Sequence, residues 1–282
     1  MSVGAAQPLL ALHASSSLQM RLRSIHRTGR AFRLVGPVRL ASSWEELGDL
    51  VARHPGSPAF VDPGFALSRS PFAPHRNADD IGGWRAVPFV WYANLEPSEE
   101  RRLAALGTFV DGLQPSFDDT HPGAVDAAIL RSIDANRSLQ LLERIAQCAN
   151  PWVRTAFEHA LKLSVGPCPV RRMAAGLRLS ERTLQRKCAA IGVPSPRTLM
   201  TLARIFCFER LLHWSKQPAG VIAQALEFSA RSNYRRTVRD IMGEPPSGVR
   251  ERGGTEWVAQ TIVNLLKCCP SDPASRGRNV YA

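Results

Sequence analysis

Arg182, Gln185 and Arg186 stand at i, i+3 and i+4 in the stretch LSERTLQRKC, residues 179–188. That spacing puts side chains on one face of a helix. Leu184 and Cys188, four residues apart, fall on the opposite side. With Ser180 as N-cap, the apolar pair packs inward while two guanidiniums and an amide project outward. The outward set matches the edges of nucleic-acid bases. Arg pairs bidentately with guanine O6 and N7, and Gln with adenine N6 and N7. The preceding PVRRMAAGLRL reads as a short helix and a turn, so the whole is helix, turn, second helix with a polar outer face.

A second copy follows about fifty residues on, in FSARSNYRRTV. AGVIAQALEF supplies the first helix, with Val221, Ile222, Ala225 and Leu226 inward. Ser229 caps the next helix, whose apolar stripe is Tyr234, Val238 and Ile241. Ser232, Asn233 and Arg236 point away from that stripe, Arg231 stands at the helix start, and Arg235 and Arg239 are placed for phosphates. Between the copies, SPRTLMTLARIFCFERLLHW predicts one helix over residues 196–214, about 28 Å long. Successive major grooves on one face of DNA are about 34 Å apart, so a rigid helix of that length lets one chain carry two reading heads.

The charge distribution agrees. The 282-residue chain has a formal net charge of +12 and 44% hydrophobic residues. Residues 165–255 hold 16 Lys plus Arg against 6 Asp plus Glu, whereas residues 1–164 hold 17 against 16. A localised excess marks a binding face for a polyanion.

Other chemistries find little support. The six cysteines form no CxxC pair, which excludes a zinc ribbon. Cys188 and Cys207 read as small core residues in a reducing cytosol. His54, His75 and His121 lie in separate loops, and no GxSxG or ordered Ser/His/Asp set occurs, so neither a metal, a cofactor nor catalysis is expected. No apolar run reaches the roughly 18 residues of a membrane span, and the start lacks a signal peptide's basic region.

Stepping outward, residues 1–30 predict a disordered leader. Residues 31–136 alternate strands with helices: AFRLV and VRLAS, then a helix capped by Ser43 with Glu46 as its capping-box partner, then strands in SPAFVDP, VPFVWYANL and TFVDGL, with helices in EPSEERRLAALG and PGAVDAAILRSIDA. That alternation implies an α/β doubly wound domain with a parallel sheet, of the receiver or flavodoxin kind. Residues 137–164 predict a helical connector, residues 165–252 an all-α domain with two helix-turn-helix units, and residues 253–282 a mostly flexible tail with one weakly amphipathic stretch.

On LSERTLQRKCAAIGVPSPRTLMTLARI, VIAQALEFSARSNYRRTVRDIMGEPPSGVR and the spacing between them, residues 169–252 resemble the DNA-binding domain of the AraC/XylS family of bacterial transcription regulators. The resemblance implies a cytoplasmic, nucleoid-associated regulator of transcription whose partner is double-stranded DNA. Arg182, Gln185 and Arg186 would enter one groove, and Arg231, Ser232, Asn233 and Arg236 the next. RNA polymerase and a second copy of the chain are its further expected partners. The chain departs from the family at Arg178 and Glu227, which occupy positions usually held by turn glycines. A left-handed residue there costs about 1–2 kcal/mol, unless Gly176 shifts the first turn.

The N-terminal half resembles a degenerate receiver domain. Asp62 ends AFVD where a receiver carries its phosphoacceptor, but an acidic pair, a strand-end hydroxyl and a Lys are missing, so phosphoryl transfer is not expected. The domain is expected to be a platform for protein interaction or dimerisation. The alternatives are an adaptor whose diverged helix-turn-helix no longer reads DNA, and a phosphorylated response regulator acting through Asp62.

Overall fold

The structure is a computed structural model that describes residues 7–12, 20, 22, 24, 31, 34–62, 89–92, 94, 111–114, 122–165, 169–215, 217–226, 228 and 231–267. The chain divides into two compact units: Met1–Leu139 with Phe208–Arg231, and Gln140–Cys207 with Ser232–Ala282.

Among the described residues the first unit is built on five strands, β1 (Leu9–Leu12), β2 (Val38–Ala41), β3 (Ala59–Val61), β4 (Phe89–Tyr92) and β5 (Asp111–Leu113). They pair in parallel in the order β2-β1-β3-β4-β5. Among the helices of the described residues, α1 (Trp44–Arg53) follows β2 and α2 (Pro122–Ser132) follows β5. This is the parallel α/β domain that the strand and helix alternation predicts. The core is apolar and aromatic: Trp44 meets Phe89 edge-on at 6.2 Å, and Phe89 stacks on Trp91 at 5.8 Å.

Two expectations for this half need correction. Residues 1–30 are not simply a leader, because Leu9–Leu12 form the inner strand that joins β2 to β3, with all four side chains buried. LLAL is an uninterrupted apolar run, the pattern of a strand covered on both faces, and it has no alternation to betray it. Nor do Ala31, Leu34 and Val35 of AFRLV lie in a strand. Leu34 and Val35 both donate to the carbonyl of Ala31, at 2.8 and 3.1 Å, and close a turn there.

The helix over residues 44–53 starts as its sequence predicts. Ser43 Oγ accepts the N–H of Glu46 at 3.2 Å. The Glu46 carboxylate reaches back one residue further than a capping box requires, accepting from Ser42 N and Ser42 Oγ, each at 2.7 Å. Those two bonds, the backbone one first, hold its carboxyl below the usual range. The expected helix at EPSEERRLAALG lies outside the described residues.

The order 2-1-3-4-5 reverses direction between β1 and β3, which makes that place the topological switch point of the sheet. Asp62 follows β3 at that point, and its N–H donates to the carbonyl of Leu12 at 3.0 Å.

Among the described residues after α2 the elements are all helices: α3 (Asn136–Cys148), α4 (Pro151–Lys162), α5 (Val170–Gly176), α6 (Glu181–Ile191), α7 (Pro196–Ser215), α8 (Ala219–Ala225), α9 (Arg231–Met242), α10 (Pro246–Glu251) and α11 (Thr255–Leu266). The unit boundary runs within α3 and α7, and α8 belongs with the sheet. The tail expectation needs correction over α11, whose Val258, Ala259, Ile262, Val263 and Leu266 are buried. Arg144 of α3 ties α11 down, reaching Glu256 Oε1 and Gln260 Oε1 at 2.6 Å each. None of the described helices is long and apolar enough to cross a membrane.

Candidate nucleic-acid interface

The first head is α5, a four-residue connection (177–180) and α6. Ser180 Oγ accepts the N–H of Thr183 at 3.1 Å, so the N-cap is the one its sequence specifies. Leu184 and Cys188 are fully buried, and burial pushes the Cys188 thiol up to about 11. Cys188 and Cys207 are both buried and in no disulfide, as core residues should be. Arg182, Gln185 and Arg186 are exposed. The next cation along, Lys187, is half-buried and turns back over the ring of Trp152 in α4, 4.6 Å from its centroid, so it is spent on packing. Gly192 ends the helix in the left-handed conformation at φ 81°.

The turn answers the question raised by Arg178. Leu179 N–H donates to Ala174 O and Arg178 N–H to Ala175 O, both at 2.9 Å. This pair of bonds is a Schellman closure, and it needs a left-handed residue between them. Arg178 is that residue, with φ 55°. Gly176 does not shift the turn. It is the last residue of α5, and a glycine is needed there because a β-carbon would meet His159 Cδ2 of α4 at 2.8 Å.

In the second head, Ile222, Ala223, Ala225 and Leu226 are buried on and after α8, while Val221 is half-buried. On α9, Tyr234, Val238 and Met242 are buried and Ile241 is half-buried. Ser232, Arg235, Arg236 and Arg239 are exposed and Asn233 is half-buried. Arg231 opens the helix. Ser229 and Glu227, the expected cap and the second departure from the family, lie outside the described residues.

The two helices repeat each other at an offset of fifty. From residue 182 to 191 and from 232 to 241, every position falls in the same class of exposure. Leu184 corresponds to Tyr234, Cys188 to Val238, Arg182 to Ser232, Arg186 to Arg236, Gln185 to Arg235 and Thr183 to Asn233. Spacing in the sequence alone separated Arg235 from the reading set and put Asn233 in it; exposure pairs Arg235 with Gln185 and Asn233 with the half-buried Thr183.

Residues 173–252 match the family model of a helix-turn-helix domain. Over this segment the chain is similar to a helix-turn-helix domain. The match supports the AraC-type DNA-binding domain that the same residues resemble. No curated protein and no solved structure matches the chain. Sequence reasoning also passed over Arg171, Arg172 and Arg197, which are exposed on the helix-turn-helix side of the chain. Their only signal was the local excess of cations.

Proposed function

We propose that the chain is a sequence-specific transcriptional regulator of the AraC type, whose α6 and α9 read two adjacent major grooves. The observation that carries this reading is the fifty-residue correspondence. Two capped or cap-preceded helices bury the same two positions and expose the same polar stripe, and bridging them is a single helix of 20 residues. Arg182, Gln185 and Arg186 read one half of the site. Arg231, Ser232 and Arg236 read the other, joined by Arg235, which takes the place corresponding to Gln185. Asn233 takes the half-buried place that corresponds to Thr183. Arg239 holds the phosphate backbone.

The α/β domain is a receiver-like platform without phosphoryl chemistry. Its strand order and the position of Asp62 support the likeness. The residues after the strand ends argue against phosphoryl transfer: His13 and Ala14 follow β1, Ala93 and Asn94 follow β4, Gln114 follows β5, and no Lys precedes Lys162. An Mg²⁺-held acyl phosphate at Asp62 would lack its acidic pair and its cation. The domain instead serves contacts with RNA polymerase or a second copy of the chain, in the cytoplasm and on the nucleoid, with no catalysis of its own.

In vitro selection from random duplex DNA by the purified full chain tests this. A two-part sequence should emerge, its halves about one helical turn apart, bound with a steep dependence on salt. Recovery of an unselected pool would leave the adaptor reading standing.

A further inference from the structure

Lys187 follows Arg186 on α6 but lies on the flank of the helix. Around the helix axis, Lys187 and Gln185 stand on opposite sides of the buried stripe of Leu184 and Cys188. Gln185 is exposed, whereas Lys187 is half-buried. The difference comes from α4. Trp152, the second residue of that helix, is fixed through its own N–H, which Asn150 Oδ1 accepts at 2.9 Å. Its ring receives the Lys187 ammonium 4.6 Å from the centroid. The one acid of α4, Glu158, is engaged by Arg154 and Lys162, at 3.4 and 3.1 Å. The aromatic face is therefore what α4 offers this cation.

His159 stands seven residues after Trp152, which puts both rings on one face of α4, two turns and about 10 Å apart. Its Nδ1 donates to the carbonyl of Thr155 at 3.1 Å. Its Cδ2 lies where a β-carbon on Gly176 would come within 2.8 Å, so α5 approaches α4 as closely as a glycine allows. One face of α4 thus meets both helices of the first head, α5 at His159 and α6 at Trp152. In the second head the residue corresponding to Lys187 is Thr237, half-buried and uncharged. At this place, then, neither reading helix turns a cation outward.

We propose that Trp152 is a positioning residue of the first reading head: it seats α6 against α4 through the Lys187 ammonium and withholds that cation from the phosphates of DNA. Phosphate contacts raise affinity for every sequence alike, whereas base contacts select. A reading helix whose flanking cation is held on a ring keeps Arg182, Gln185 and Arg186 for the bases and gives up one source of non-specific affinity. The consequence for DNA rests on the proposed DNA-reading function, whereas the seat itself rests on the contacts of Trp152 and His159.

The test compares the full chain with Lys187→Met, Trp152→Leu and the two combined. The slope of log K against log salt, on the selected two-part DNA and on unrelated duplex, reads the withheld cation. A double-mutant cycle in urea unfolding reads the seat. Lys187→Met should leave both slopes as they are. Trp152→Leu, which releases the ammonium, should steepen both by about one unit, and the combined variant should return them to the parent's. In unfolding, the two residues should be coupled by about two- to fivefold in the unfolding constant. Trp152→Phe, which keeps a ring with a weaker face, should fall between parent and Trp152→Leu, and it stands in for the latter if that variant does not fold. A slope flattened by about one in Lys187→Met, no steepening on loss of the ring, or unfolding effects that simply add would overturn the proposal. If the parent chain binds no DNA, the proposed function falls and the cycle still decides the seat.

Discussion

Gly176 lies against the ring of His159, where a β-carbon would sit 2.8 Å from Cδ2. The close approach requires a glycine within α5, and the left-handed position of the turn falls to Arg178, at φ 55°. Glycine adopts this conformation without the steric cost an L side chain carries. Arg178→Gly should therefore stabilise the chain by about 1 kcal/mol and leave the sequence preference of DNA binding unchanged. Chemical unfolding with a midpoint no higher than the parent's would show that the turn is not strained.

Base contacts carry sequence information, and phosphate contacts carry salt dependence. Arg186→Ala should cost about 1–3 kcal/mol on the best site and relax preference at one position. Arg239→Ala should weaken all sequences alike and flatten the slope of log K against log salt by about one. Arg235→Ala decides between the two assignments of that residue: its register with Gln185 predicts a position-specific loss. All three side chains are exposed, so the helical circular dichroism of each variant should match the parent's. A uniform loss for Arg235→Ala would return it to the backbone.

Gly56 is left-handed at φ 79° and faces Trp214 Nε1. Gly56→Ala meets both obstacles, the strained backbone and the indole. It should destabilise the first unit by roughly 1–3 kcal/mol, read from urea unfolding followed by tryptophan fluorescence. Parent-like unfolding would mean that α7 is not seated against this loop.

Asp134 gives a pH dependence. Burial raises its carboxyl above the ordinary value, and the neighbouring Arg137, Arg210 and His213 only partly offset this. Arg137 Nε sits 2.7 Å from Oδ2. A raised folded-state value means that the charged form is the disfavoured one. The cost is absent below the ordinary carboxylate range and sets in as pH rises through the raised value. Asp134→Asn removes the titration and tolerates the residue's left-handed φ of 48°. It should be at least as stable as the parent at neutral pH, the difference shrinking on acidification. A variant less stable at neutral pH, with no convergence in acid, would show that the ion pair outweighs burial.

Much of this protein was legible in its sequence because the signals are local. Ser43 and Ser180 sit just ahead of runs with helical period, and both cap as read. The outward stripe of α6 follows from a period of 3.6 residues, which four side chains suffice to declare. The parallel sheet followed from alternating strands and helices. Three things needed the tertiary structure, each because its partners are remote in sequence. LLAL looks like any short apolar run until β2 and β3 pair with it on both sides. Gly176 looks like a turn glycine until His159 claims its face. Arg210 is one more cation in a basic stretch until the fold carries the end of α2 to it. Only then does a charge that the sequence assigns to a binding surface become a buried clamp, because in the interior a guanidinium is stable only where carbonyls are already waiting for its protons.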